Sequence, residues 1–486
     1  RPVGPGRNGM MTRVISIDGP SQSPTARPGT TPRQVLVIVC AGVVLASLDL
    51  FIVNVALPQI ARDLHTSNLS ELSWVLNGYA IVYASLLVFF GRLADRYRRD
   101  RGFLLGVAIF TFASAACAAS TSVDMLLAFR LVQAAGAALL TPTSLGLVLA
   151  SYEPDQRHGA VRAWTAAGGF AAALGPVIGG LLVAVDWRLV FLVNVPIGIV
   201  ALAVGWYRLP HVSGQDVERP DPLGAILVTA GVAALTFGLV KGSDWGWGSA
   251  SILSTLTGGV VLTALFVLHC LTSRAPLIHP SLFRSRPFTG ASLVALTFSA
   301  SFGAMLLSIV LWEQGVWGWS ALRSGLSIAP GPLMVPVFSF LVAGRLIARW
   351  GPAVVIGLGS TVFGVGVGWW AVAVTTEPNY STGVLGGMIL TGIGVGLTLP
   401  TMMATASASL PPASFATGSA VVNMVRQIGI ALGVALLVAV LGTSAGQVPP
   451  LSTFKHAWWL TAALSFAGIA PALGLLRRQA PSAESA

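Results

Sequence analysis

Long apolar runs, separated by short polar stretches, make up most of this chain. They fall at about 34–58, 73–91, 102–120, 124–150, 161–185 and 189–208. A pair follows at about 222–240 and 250–271, then six more at about 288–312, 322–344, 351–375, 382–409, 416–441 and 455–476. A helix needs about 20 mostly apolar residues to cross the hydrocarbon of a bilayer, where it must satisfy its own backbone polar groups. The pattern predicts an all-α polytopic membrane protein with 14 transmembrane helices. An even count places both ends of the chain on one side.

A short motif recurs in this pattern. Gly91-Arg92-Leu93-Ala94-Asp95-Arg96 ends the second run, and Gly344-Arg345-Leu346-Ile347-Ala348-Arg349 ends the tenth, 253 residues later. The first and ninth runs start about the same distance apart. The repeat divides the chain as 6+2+6. A tail at 1–33 leads into a six-helix bundle at 34–208. A linker at 209–287 carries inserted helices seven and eight, and a second bundle occupies 288–476 before a tail at 477–486. Two related bundles rocking around a central site fit this layout. Residues 1–33 hold six prolines and five arginines without an apolar run and read as disordered.

Composition agrees with the pattern. The 486 residues have a mean hydropathy of +0.79 and are only 9% charged, against about 25% in a soluble domain. The 55 glycines suit close helix contacts in lipid. Cys40, Cys117 and Cys270 lie in apolar runs, with no disulfide framework or metal spacing. The net charge of +11 is distributed between spans and builds no basic face with aromatics, which argues against nucleic acid. With the N-terminus in the cytoplasm, inner segments carry 21 basic residues, while outer ones hold Arg62, Arg188, Lys241, Arg323 and Lys455. That bias follows the positive-inside rule and places both termini in the cytoplasm.

Charges inside the runs are the candidates for chemistry. Asp49 is the sole charge between Val35 and Leu57, and a carboxylate at that depth marks an ion or substrate path. Arg130 lies mid-span with Gln133 one turn away, and a permanent cation there needs an acceptor. We expect the two to couple, directly or through water. Ile52 and Val53 follow Asp49 on a surface available to an apolar ligand. Gly175-Pro176 breaks the fifth run, with Gly179 and Gly180 just after it. In the second half Glu313 ends the ninth run, either drawing cations to the outer mouth or facing water. Asn423, Arg426 and Gln427 interrupt the thirteenth. Trp74, Trp312, Trp317, Trp319, Trp369, Trp370, Trp458 and Trp459 lie mostly near span ends and read first as interface anchors. Neither a Gly-rich Lys-Ser/Thr loop for nucleotide nor a nucleophile, metal cluster or paired-acid face is visible, so neither ATP hydrolysis nor enzyme chemistry is expected.

These residues resemble the major facilitator superfamily, specifically its fourteen-helix drug:proton antiporters, over about residues 34–476. Leu48-Asp49 through Leu57-Pro58 is similar to the first-helix signature. Gly91 to Arg101 is similar to the shared loop motif, Arg130 with Gln133, Gly136 and Ala138 to the fourth-helix motif, and Gly175-Pro176-Val177-Ile178-Gly179-Gly180 to the antiporter fifth-helix motif. Trp187-Arg188 through Asn194-Val195-Pro196-Ile197-Gly198, and Asn423 with Arg426-Gln427, also look characteristic. The chain departs from the pattern at Arg98 and Ala134, where glycine is usual, at Ala171, and at Ala348, which stands opposite Asp95 in the second copy.

The resemblance implies a major-facilitator fold and proton coupling at Asp49 and Arg130. It also implies substrate contacts at Gln133, Asn423 and Arg426, and a gate and hinge at Gly91, Asp95, Arg96, Gly175, Pro176, Gly179 and Gly180. Glu313, where the family more often carries an apolar residue, is a cavity candidate on its own charge alone. It implies export of lipophilic drugs or antibiotics, cations included, from a bacterial cell by a monomer that needs no cofactor but the proton. Membrane lipids are the other expected partner. A uniporter, symporter or lipid transporter of the same fold is the alternative.

Overall fold

The computed structural model describes residues 30–476 apart from 67, 154–155, 213–219, 411–414 and 443–448. Both expected tails therefore lie outside the described residues, except 30–33, where the first helix already begins. The first half comprises α1 (Pro32–Asp63), α2 (Leu69–Arg96), α3 (Arg99–Ala118), α4 (Val123–Ser151) and α5 (Arg157–Val183). One further crossing is made in two pieces, α6 (Leu189–Leu192) and α7 (Asn194–Arg208). The inserted pair is α8 (Pro222–Trp245) and α9 (Ala250–Thr272). The second half runs through α10 (Arg286–Leu311), α11 (Ala321–Ile328), α12 (Pro330–Pro336), α13 (Ala343–Ala373), α14 (Leu385–Ala408), α15 (Phe415–Leu441), α16 (Leu451–Ala467) and α17 (Ile469–Leu475). Turns of π-helix occupy Trp312–Val316, Val337–Val342 and Tyr380–Val384.

Apolar composition sets these helices, and polar caps set where they start. Thr31 and Gln34 form a reciprocal capping box behind Pro32, which needs no hydrogen bond at that position. Asn68 caps α2, Ser122 caps α4 and Asp221 caps α8, each accepting from a backbone N–H of the first turn. The protein is an all-α polytopic membrane protein.

Among the described residues twelve helical runs are long and apolar enough to cross a membrane. A bent pair, Gly159–Ala172 with Leu174–Val183, makes a thirteenth. The bend of 40° falls just before Pro176, whose ring nitrogen has no proton to give the preceding turn. The expectation of fourteen separate runs departs from this at one place. Expected breaks near residue 345 are bridged, and Ala321–Ala373 forms a 53-residue run interrupted by the non-helical backbone of Gly351 at φ 78°.

Each half is packed internally: α1 on α5, α3 on α4 and α2 on α4 in the first, with α13 on α14, α10 on α15 and α13 on α16 in the second. Across the halves α2 meets α15 and α5 meets α11, while α8 touches both α2 and α15. The tryptophans divide. Trp369 and Trp459 are exposed, as anchors would be, but Trp312, Trp370 and Trp458 are fully buried. Trp312 packs edge-on against Phe454 at 5.0 Å and Trp458 at 5.6 Å, a core contact in place of the expected interface role.

Candidate functional site

The first-half charges meet. Asp49 on α1 and Arg130 on α4 are both fully buried, and Arg130 Nη1 donates to Asp49 Oδ2. Gln133, one turn on from Arg130, donates to Asp49 Oδ1 at 2.9 Å, and Asn194 at the start of α7 donates to the same oxygen at 3.2 Å. Gln133 is itself fixed, giving a second bond to Ser114 Oγ at 2.8 Å and accepting from Arg130 Nη1 at 2.6 Å. Helix geometry explains the convergence: residues three apart share a face, so Arg130 and Gln133 reach the same carboxylate. The Arg130 guanidinium also lies 4.1 Å over the Tyr79 ring and donates to the Val75 carbonyl. Burial of two charges is sustained only with this degree of pairing and hydrogen bonding.

One donor of this network is left over. Arg130 Nη2 has no partner among the described residues, and Arg130 borders a narrow cavity between the halves. Leu50, Phe51 and Asn54 of α1 line it with Phe302 and Leu306 of α10 and Ile430 of α15. Among the described residues Arg130 supplies the only charge in that lining. Ile52 and Val53, expected to face a ligand, are fully buried and do not border the cavity. Ile52 instead meets α5, where a Cβ on Gly179 would stand 2.9 Å from its carbonyl oxygen. The helical turn thus sends Phe51 and Asn54 to the cavity and Ile52 to the neighbouring helix.

The glycine segment of α5 brings the halves together. A Cβ on Gly180 would stand 2.7 Å from the Ala321 carbonyl oxygen of α11, and one on Gly325 would stand 2.5 Å from that of Pro176. These backbones touch only because neither residue has a side chain. A Cβ on Gly175 would meet Phe51 at 2.9 Å, so the same stretch also seats α1.

At the end of α2, Gly91 lies an ordinary 3.7 Å from Pro142 when a Cβ is imagined there, and Arg96 is engaged by a neighbour. The Asp95 side chain, expected as the latch, lies outside the described residues. Arg98 ties the start of α3 to the segment after α7, pairing with Asp100 at 2.5 Å and with His211 Nδ1 at 2.6 Å. The hydrogen bond to Asp100 raises the Arg98 pKa above its ordinary value.

The second-half candidates are placed differently. Glu313 neither lines an outer mouth nor faces water; it is fully buried in the π-helical turn after α10. Ser324 Oγ donates to its carboxyl at 2.5 Å and Ser327 Oγ at 2.6 Å. Arg426 binds the Asn423 side-chain oxygen at 2.9 Å, and its Nε has no partner among the described residues. Tyr83 is within its electrostatic reach and stacks on Tyr79 at 6.0 Å, so an aromatic pair lies between the buried Arg130 and the half-buried Arg426. Sequence reasoning had not assigned Ser114, Asn194, Tyr79, Ser324 or Ser327. Only Asn194 carried a signal, as part of the motif that runs from Trp187 to Gly198.

Among the described residues no group of three or more His, Cys, Asp or Glu is placed to hold a metal. The sequence pattern of the Major Facilitator Superfamily matches residues 39–434 and again 332–485. The cephamycin export protein of Amycolatopsis lactamdurans is 34% identical over 477 residues, covering 96% of this chain and 98% of that one. The tetracenomycin C resistance and export protein of Streptomyces glaucescens is 32% identical over 440 residues, covering 89% of this chain and 80% of its own. In fold, the chain is similar to a solved auto-inhibited peptide transporter of the POT family. That likeness has a TM-score of 0.66 at 19% identity, over 93% of this chain and 99% of the other.

Proposed function

The chain belongs to the major facilitator superfamily, and from that premise we propose that it carries small organic solutes across a bacterial membrane in exchange for protons taken up at Asp49. As a member of a transporter family it is not an enzyme. The carrying observation is the Asp49–Arg130 pair, buried, hydrogen-bonded on several sides and set beside the cavity between the halves. Protonating Asp49 dissolves the ion pair and strands Arg130 as an uncompensated buried cation, which costs about 3–5 kcal/mol. Arg130 then needs a new acceptor, from water admitted by a rearrangement or from a solute in the cavity. Proton occupancy and the arrangement of the halves are coupled by that need.

The relatives named for export of cephamycin and tetracenomycin C support the outward direction and an antibiotic-like cargo. The cavity sharpens the cargo: its lining is apolar and its one charge is positive. A lipophilic solute bearing a carbonyl or anionic group fits that lining better than a cation. Helix count follows the same reading. The 53-residue run would be about 80 Å long as one helix, against about 30 Å of hydrocarbon. Counted as two crossings that turn at Gly351, it brings the total to fourteen in a 6+2+6 order with both termini cytoplasmic. The contact between α5 and α11 then closes the outer side. Asp95 and Arg96 would act on the opposite side.

The second reading, a uniporter or symporter of this fold, is supported by the likeness to peptide transporters, which extends over nearly the whole chain. A vesicle experiment separates the two. Purified protein is reconstituted, a pH gradient is imposed, and permanently charged and neutral solutes are followed, because weak bases would collect in an acidic lumen unaided. Exchange accumulates solute in the acidic lumen, and Asp49→Asn abolishes the accumulation. Accumulation in the alkaline lumen means co-transport, and indifference to the gradient means uniport. Undiminished exchange in Asp49→Asn would remove Asp49 from coupling.

A further inference from the structure

Glu313 is a buried acid whose carboxyl group touches no cation among the described residues, with Arg323 acting on it only from longer range. No ion pair reaches it among the described residues. Its polar partners are two hydroxyls, Ser324 and Ser327, both on α11. Those serines flank Gly325, whose missing side chain lets α11 rest on Pro176 of α5. The carboxyl group therefore sits directly behind the contact between the two halves. Leu311, Gln314 and Gly315, its neighbours in sequence, border a cleft of about 290 Å³ with Pro58 and Arg62 of α1.

A neutral Glu313 completes a circuit here. With a proton on Oε1, the acid donates to Ser327 Oγ, 2.6 Å away. Ser327 donates in turn to the Ser324 carbonyl at 2.8 Å, and Ser324 Oγ donates to Oε2 at 2.5 Å. Every hydroxyl proton then has an acceptor. A charged Glu313 leaves an uncompensated carboxylate in a fully buried site, and a charge buried without a counter-ion is strongly disfavoured. Separation of α11 from α5 would let water from the cleft reach it.

We propose that Glu313 is a second proton-binding group, and that loss of its proton releases α11 from α5 and opens the outer side. This rests on the reading of the α5–α11 contact as the outer closure, but not on the role of Asp49. The proton leaves Oε1 for water in the cleft and returns by the same route. Other charged or titratable groups around the site are few. Arg323 on α11 lies over the Trp319 ring at 4.0 Å, and the Tyr380 hydroxyl donates to the Ser327 carbonyl at 3.0 Å. Arg62 borders the cleft, and Lys455 and His456 follow Phe454, which packs on Trp312. Of these His456 is the one imidazole.

The test reads the gap between the helices as pH changes. Nitroxide labels at Leu181→Cys on α5 and Leu326→Cys on α11, both exposed sites, are placed in the full chain with its three native cysteines replaced, in lipid nanodiscs. Dipolar broadening is expected to be strong at low pH and to fall severalfold as pH rises. Glu313→Gln reproduces the neutral acid, with the amide donating to Ser327, and is expected to stay broad at every pH. His456→Gln is expected to titrate as the parent does. Ser327→Ala removes a donor to the charged form, and its midpoint is expected at roughly tenfold lower proton concentration; this variant decides the matter if Glu313→Gln does not fold. A parent that does not titrate, or a Glu313→Gln that titrates like it, overturns the proposal. The same measurement in Asp49→Asn keeps the two readings apart. A titration that persists there leaves Glu313 as the group even if Asp49 has no part in transport, and one that disappears assigns the signal to Asp49 and overturns the proposal.

Discussion

Among the described residues Asp49 of the first half and Glu313 of the second are acids with no exposed surface, and the two are held in opposite ways. Asp49 is met by a guanidinium and two side-chain amides, whereas Glu313 is met by two hydroxyls. The first arrangement stabilises a charge, so adding a proton disrupts it. The second suits a neutral group, so removing a proton disrupts it. The same chemical function thus responds to the same ion with opposite sign, according to whether a fixed cation stands beside it.

The comparison is most exposed at Arg130. Arg130→Ala leaves Asp49 buried without its counter-ion, and unfolding free energy in detergent is expected to fall by about 3–5 kcal/mol. A loss below about 1 kcal/mol would mean that the pair is not what holds the first half. Next comes the seam between the halves. Gly325→Ala pushes a methyl group against the Pro176 carbonyl, and overpacking of this kind costs about 1–3 kcal/mol. Alkylation of a cysteine at Leu326 should become faster in that variant, and unchanged reactivity would show that the helices accommodate the methyl. The smallest effect is expected at the second acid. Glu313→Gln preserves the shape and both serine bonds, so thermal unfolding should shift by less than about 1 kcal/mol. A loss as large as that of Arg130→Ala would show that Glu313 is held as a charge after all, and the contrast would collapse.

Much of the first-half site was legible because charges in apolar runs are few. Asp49 is the sole charge of its run and Arg130 a permanent cation in mid-span, so coupling between them, directly or through water, was expected, but their contact was not legible. Ser114 was not legible, since a serine in an alanine-rich run reads as a small packing residue until the fold brings Gln133 to it. Glu313 was misread for a local reason. Its place at the end of an apolar run suggested exposure, but the chain there winds as a π-helix, and the extra residue per turn rotates the side chain inward. The buried tryptophans misled similarly, because closeness to a span end in sequence does not say which face of the helix carries the ring. Apolar length located the long runs, but it placed the break of Ala321–Ala373 near residue 345, whereas the helix is interrupted at Gly351 by one residue of positive φ.

The inserted helices have a consequence for how the molecule meets its surroundings. Because α8 lies against α2 of one half and α15 of the other, the pair α8–α9 roofs one flank of the groove between them, and Trp74 and Phe237 fill that roof at 5.9 Å. The flank formed by α5 and α11 has no such cover among the described residues. A molecule dissolved in the lipid therefore meets a flank shuttered by an added helix pair and a flank where only α5 and α11 themselves stand between it and the interior, so a sideways approach is not alike from the two edges.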